Sequence, residues 1–142
     1  MAMCKPFLLS DLAGEHQNFP ADLPALLCFV KEDCPTCREI LPVLKALAER
    51  LEGETDLLII GQTADGNRTI ADQHGLRVLD DSALKVSFAY DVETVPTLIS
   101  TDAEGHLIQQ LVGFVKDEWR SLVIDVLGEE GTDDLLDWSQ LP

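Results

Sequence analysis

Cys34 and Cys37 stand three residues apart with Pro35 and Thr36 between them. That spacing suits the reversible closing and opening of a disulfide. Residues three apart on a helix lie about one turn from each other, so the second thiol reaches the first with little backbone movement. A thiol at the very start of a helix also faces backbone N–H groups that lack an intrahelical partner, which favours the nucleophilic thiolate. Cys34 is therefore expected to attack a partner's disulfide and Cys37 to resolve the mixed disulfide. No cofactor is called for. Two other readings stay open at this point. Zinc usually takes four ligands, so a metal site would need Cys4, Cys28 or a histidine beside the pair, and no metal is expected. A redox-inactive module that only holds a partner protein would leave both thiols idle.

The elements that must position this pair can be read on either side of it. Leu26-Leu27-Cys28-Phe29-Val30 is a continuous apolar run, as in a central strand covered on both faces. Lys31-Glu32-Asp33 then brings the chain to the surface. From Cys34 to Glu52 the apolar positions Ile40, Leu44, Leu47 and Leu51 recur at helical spacing, and Gly53 is a fitting stop. Pro42 lies inside this helix, where it removes a hydrogen bond and crowds the Arg38 carbonyl, so a kink is expected. Arg38 is the nearest fixed positive charge in sequence; it reads as a solvated helix-face residue that could also support the thiolate. Asp33 opposes the thiolate at Cys34 while the helix start favours it.

Further along, Leu57 to Ile60 forms a second buried strand, and strand, helix, strand at this spacing implies a right-handed parallel crossover. Between Gly61 and Tyr90 the pattern predicts a helix from Asn67 to His74 ending at Gly75, an extended piece from Leu76 to Leu79, and a helix from Ser82 to Ala89 capped by Asp81. Val95 to Ile99 starts another strand with Pro96 near its beginning, and Asp102-Ala103-Glu104-Gly105 turns it into an antiparallel partner spanning His106 to Val112. Trp119, Leu122, Val123, Val126 and Leu127 mark a last helix stopping near Gly128. At the front, Pro6 to Leu9 reads as a short edge strand, followed by a loop in which His16 is a solvated residue. His74 reads as a helix C-terminal residue.

The chain has 142 residues, 46% of them hydrophobic, enough for one core. A single domain over 1–142 is expected, with 129–142 as an acidic extension that could lead to a further domain and whose Leu135, Leu136 and Trp138 could dock. Lys and Arg number 10 against 26 Asp and Glu, a formal charge of −16, which repels nucleic acid and anionic membranes. No stretch is long and apolar enough to span a bilayer, and the N-terminus lacks a signal-peptide layout.

The Cys34 to Cys37 motif at a strand-to-helix junction, Pro42 eight residues after the first cysteine, Val95-Pro96-Thr97 and Gly105 in a hairpin turn together resemble the thioredoxin-like superfamily. The long insert before Val95 and the residues Leu8, Asp11, Leu12 and Gly14 are similar to its TlpA and MauD-like branch of thiol–disulfide oxidoreductases. The resemblance implies an α/β fold with a central mixed sheet, helices on both faces and an insert before the cis-proline strand. It further implies that Pro96 is cis and faces the pair, that the Val95 backbone binds substrate alongside Pro96, Pro35 and Thr36, and that the partners are a protein thiol or disulfide and a second redox protein. An extracytoplasmic or membrane-tethered parent is compatible with that branch. The sequence departs from thioredoxin at Asp33, where tryptophan is usual, and at Cys28, where thioredoxin carries a buried aspartate. A buried thiol is a poor substitute for that acid, so Cys28 is expected to pack as a core residue without a redox part.

Overall fold

The computed structural model describes residues 2–142. Its centre is a five-stranded sheet built from β3 (Ala25–Val30), β4 (Asp56–Gly61), β5 (Val78–Asp80), β6 (Thr97–Thr101) and β7 (Leu107–Val112), in the order β5-β4-β3-β6-β7. A separate hairpin of β1 (Phe7–Ser10) and β2 (His16–Phe19) precedes it. Strand β3 pairs in parallel with β4 and antiparallel with β6, so the sheet is mixed. Every residue of β3 is buried. Its side chains alternate between two cores, as a strand covered on both faces requires: Leu26, Cys28 and Val30 belong to one, Ala25, Leu27 and Phe29 to the other.

The first core lies beneath α1 (Pro35–Arg50) and α4 (Lys116–Leu135), with Ile70 of α2 (Ala64–His74) joining its edge. Ile40, Leu41, Val43, Leu44 and Leu47 give α1 its buried stripe, and Trp119, Leu122 and Val123 give α4 the same. The second core lies beneath the β1–β2 hairpin and α3 (Lys85–Ala89), where Phe7 stacks on Phe19 at 5.2 Å and Tyr90 bridges Phe7 and Phe29. Helices thus stand on both faces, although unequally, because the hairpin supplies much of the second cover.

Several expected elements appear with shifted bounds. Helix α1 is one element across Pro42. Helix α2 begins at Ala64, three residues earlier than the pattern suggested, and ends as expected at Gly75, whose φ of 62° is the left-handed stop. Asp81 does cap α3, its buried carboxylate accepting from the backbone N–H groups of Val86 at 3.1 Å and Ser87 at 2.8 Å, but the helix itself starts only at Lys85. Strand β2 was not legible, because His16-Gln17-Asn18-Phe19 is polar at three of four positions. Its place is fixed by pairing with β1 and by Arg77, which binds Asp11 at 2.9 Å and Gln17 at 2.8 Å. The last helix breaks at Gly128 as expected, with φ 80°, yet the acidic stretch after it resumes as helix instead of trailing away. Thr132 and Trp138 are buried there, and the Trp138 indole N–H donates to the Thr132 carbonyl at 2.8 Å. Leu135, Leu136 and Leu141 pack against the first core.

Candidate functional site

Cys34 sits at the junction of β3 and α1. The Cys34 N–H donates to the Lys31 carbonyl at 3.1 Å, closing the turn that leaves the strand, and the Arg38 N–H donates to the Cys34 carbonyl at 3.1 Å, opening the helix. Cys34 is the N-cap, with extended backbone angles (φ −86°, ψ 118°), and Pro35 takes the first helical position, where its missing N–H costs nothing. The free N–H of Cys37 points back at the Cys34 sulfur, 3.4 Å away. A sulfur anion at this position would receive that hydrogen bond together with the positive end of α1.

Cys34 is partly exposed while Cys37 is 1% exposed, so only the first thiol meets solvent. Burial pushes the Cys37 thiol up to about 12, partly offset by the Lys31 backbone and reinforced by Cys34 and the Asp33 charge. Cys37 therefore stays protonated at neutral pH. None of the four cysteines is in a disulfide.

Across from the pair stands the segment leading into β6. The Val95–Pro96 bond is cis, as expected, and the Cys34 thiol donates to the Val95 carbonyl at 3.5 Å. Pro96 is buried, and its carbonyl accepts from the Gly113 N–H at 2.7 Å, which ties the end of β7 to this loop. Among the described residues, nothing accepts from the Val95 N–H. Pro35 is exposed and Thr36 half-buried beside Cys34 on the first turn of α1. The structure thus brings Cys34, Pro35, Thr36, Cys37, Val95 and Pro96 to one end of the sheet. The Gly113 anchor was not read from the sequence, where that glycine showed only as an interruption of β7.

Other residues considered from the sequence fall elsewhere. The Arg38 guanidinium is engaged by Glu32, donating to its carbonyl at 2.9 Å and standing 3.7 Å from its carboxylate, so it belongs to the helix face. Cys28 is fully buried in the first core, which raises its thiol above the ordinary range, with Cys37 adding to the effect. Cys4 packs against the second core, and His16 bonds Ser10 at 2.9 Å on the exposed hairpin. Among the described residues, the side chains grouped closely enough to hold an ion are Asp102, Glu104 and His106 in the β6–β7 turn, a set that includes neither Cys34 nor Cys37. Among the described residues, no helix is long and apolar enough to cross a membrane.

A family model described as "Thioredoxin-like domain" matches residues 20–125. The chain is 33% identical over 69 residues to a thioredoxin from Porphyra purpurea, covering 49% of this chain and 63% of that protein. It is 26% identical over 85 residues to the methylamine utilization protein MauD of Methylophilus methylotrophus, covering 60% of this chain and 40% of the relative. The chain therefore aligns with less than two-thirds of either curated relative. Among solved structures, the thioredoxin domain of a thiol-disulfide oxidoreductase from Bacteroides vulgatus superposes with a TM-score of 0.72 at 16% identity, covering 88% of this chain and 95% of that one.

Proposed function

The chain belongs to the thioredoxin-like family, and from that premise we propose that it is a thiol–disulfide oxidoreductase acting on a partner protein through Cys34 and Cys37. One observation carries the reading: a partly exposed thiol at the N-terminus of a long helix, accepting a free backbone N–H, with a buried second thiol one turn behind it. The reaction runs in two exchanges. The Cys34 thiolate attacks one sulfur of the partner's disulfide, forming the Cys34–partner bond and releasing the other partner sulfur as a thiolate. Cys37 then gives up its proton and attacks Cys34, closing Cys34–Cys37 and releasing the second partner thiol. Two electrons and two protons pass from the protein to the partner, and a second dithiol protein restores the reduced pair. Run backwards, the same steps oxidise a partner.

Substrate binding is assigned to Val95 and Pro96, with Pro35 and Thr36 on the opposite lip. The unpaired Val95 N–H supports this, because it leaves a backbone donor free beside the reacting sulfur. Cys37 is the resolving thiol: burial keeps it neutral, so it does not compete with Cys34 for the incoming disulfide. An extracytoplasmic or membrane-tethered parent, which the resemblance allows, belongs to the same proposal.

The test is insulin reduction by the purified protein, paired with Cys37→Ser. Wild type is expected to reduce insulin under dithiothreitol, and Cys37→Ser to accumulate a disulfide between Cys34 and an insulin chain. Bound zinc in place of two titratable thiols would establish the metal alternative, and inert thiols the interaction module.

A further inference from the structure

The connection from β7 to α4 bends at Gly113, whose φ of 76° lies in the left-handed region. A side chain there would meet nothing within 4 Å, so packing does not fix this residue. Its conformation is held instead by two hydrogen bonds, one on each side. The Gly113 N–H donates to the Pro96 carbonyl at 2.7 Å, and the Gly113 carbonyl accepts from the Trp119 indole N–H at 3.0 Å. Trp119 is itself firmly set: it is 0% exposed on the buried stripe of α4, with the Phe114 ring edge-on against it at 5.3 Å. The other side of the Pro96 loop has its own tie, the Thr97 hydroxyl donating to the Thr94 carbonyl at 2.6 Å. Between these two clamps the Val95 N–H stays free and the Val95 carbonyl accepts from the Cys34 thiol.

Resting on the redox reading above, we infer that Trp119 is a positioning residue for the substrate: through Gly113 and Pro96, its indole N–H sets where the Val95 backbone lies relative to the Cys34 sulfur. Being fully buried, Trp119 touches no partner, so its influence passes along the two hydrogen bonds. Filling the core needs a large ring and no N–H group; the donor adds control over a glycine that nothing packs against. Without it, the Gly113 carbonyl turns to solvent, Gly113 regains its backbone freedom and the bond to Pro96 weakens. Exchange with a partner chain depends on that chain and the Cys34 sulfur being aligned, so a loosened Val95 slows it. A small disulfide that reaches Cys34 without lying along Val95 is indifferent to the change.

Trp119→Phe in the full reduced chain keeps an aromatic ring in the core and removes the donor. Its rate with a disulfide-bonded peptide is divided by its rate with neutral 4,4′-dithiodipyridine, so any change in the thiol itself cancels. This ratio is expected to fall about fivefold, the worth of one ordinary hydrogen bond. Amide hydrogen exchange gives a second readout that uses no redox chemistry: the Gly113 N–H should lose protection beyond any loss at the buried amides of β3. Leu122→Val, on the same buried stripe of α4 but without a bond to Gly113, controls for general destabilisation and should keep both the ratio and the protection of Gly113 relative to β3. In the wild-type chain, the Trp119 indole proton should be protected along with the Gly113 N–H, and its rapid exchange would overturn the assignment without any variant. An unchanged ratio in Trp119→Phe, Gly113 protection that falls only in step with β3, or an equal fall of the ratio in Leu122→Val would each overturn it as well. Failure of wild-type Cys34 to react with either disulfide would instead overturn the redox reading beneath it.

Discussion

The two ends of the central sheet are built from similar residues and treated oppositely by the fold. At the end holding the β6–β7 turn, Asp102 is fully used: its carboxylate accepts from the Glu104 N–H at 3.0 Å, the His106 N–H at 2.8 Å and the His106 ring at 2.9 Å. Those bonds hold the Asp102 carboxyl below its usual range. At the opposite end, Glu93, two residues before Val95, has no such partner among the described residues, the Val95 N–H is free, and a thiol stands partly exposed at a helix start. Groups satisfied inside the chain make structure, whereas groups left unsatisfied beside a nucleophile are available to a partner.

The sharpest break of this contrast is at Cys34. Cys34→Ser should abolish disulfide exchange while leaving the thermal midpoint near that of the reduced wild type, since a cap oxygen replaces a cap sulfur. Substantial residual exchange would move the nucleophile elsewhere. Next in size is the acid pair at the two ends. Asp102→Ala should lower the urea midpoint, and the stabilisation that Asp102 provides should disappear as pH falls below the ordinary carboxylate range, because its folded-state pKa is depressed. Glu93→Gln should leave the midpoint unchanged, having no internal partner to lose.

A third prediction concerns the buried thiols. Cys37 binds its proton more tightly folded than unfolded, from an ordinary 9.0 up to about 12. Its contribution is complete below pH 9 and shrinks as pH rises toward 12, with Cys28 and Tyr90 shifted in the same direction by burial. Urea titrations of the reduced protein at pH 8 and pH 10.5 should show lower stability at the higher pH, and a smaller drop in Cys37→Ala. The smallest effect is expected at Cys28. Cys28→Val keeps an apolar side chain of similar volume in the first core, so exchange rates should stay within a few-fold. A large loss of rate in that variant alone would bring a third thiol into the chemistry.

Much of this was legible because the relevant signals are local. The apolar run of β3, the spacing of α1 and α4, the Gly75 stop and the Asp102 turn each depend on residues close in sequence, and the pair itself lies within four. What was missed depends on distant contacts. Strand β2 owes its existence to β1 and Arg77, not to its own polar composition. The helix beyond Gly128 is held by Trp138 and three leucines docking on a core that only the tertiary fold creates. The Gly113 clamp on Pro96 joins residues seventeen positions apart across a hairpin. Charge counting gave an acidic protein, but only the coordinates separate acids that are satisfied from acids that are not.

The central claim, that Cys34 and Cys37 form one redox unit, is tested most directly by stoichiometry. Reduced protein is mixed with an excess of a peptide disulfide, and the lost protein thiols, the released peptide thiols and the position of any new disulfide are determined by mass spectrometry. The account predicts two thiols lost per chain, two peptide thiols released, and a single bond joining Cys34 to Cys37, with Cys4 and Cys28 still free. A stable mixed disulfide at Cys34 in the wild-type chain, or a bond that includes Cys28, would contradict it.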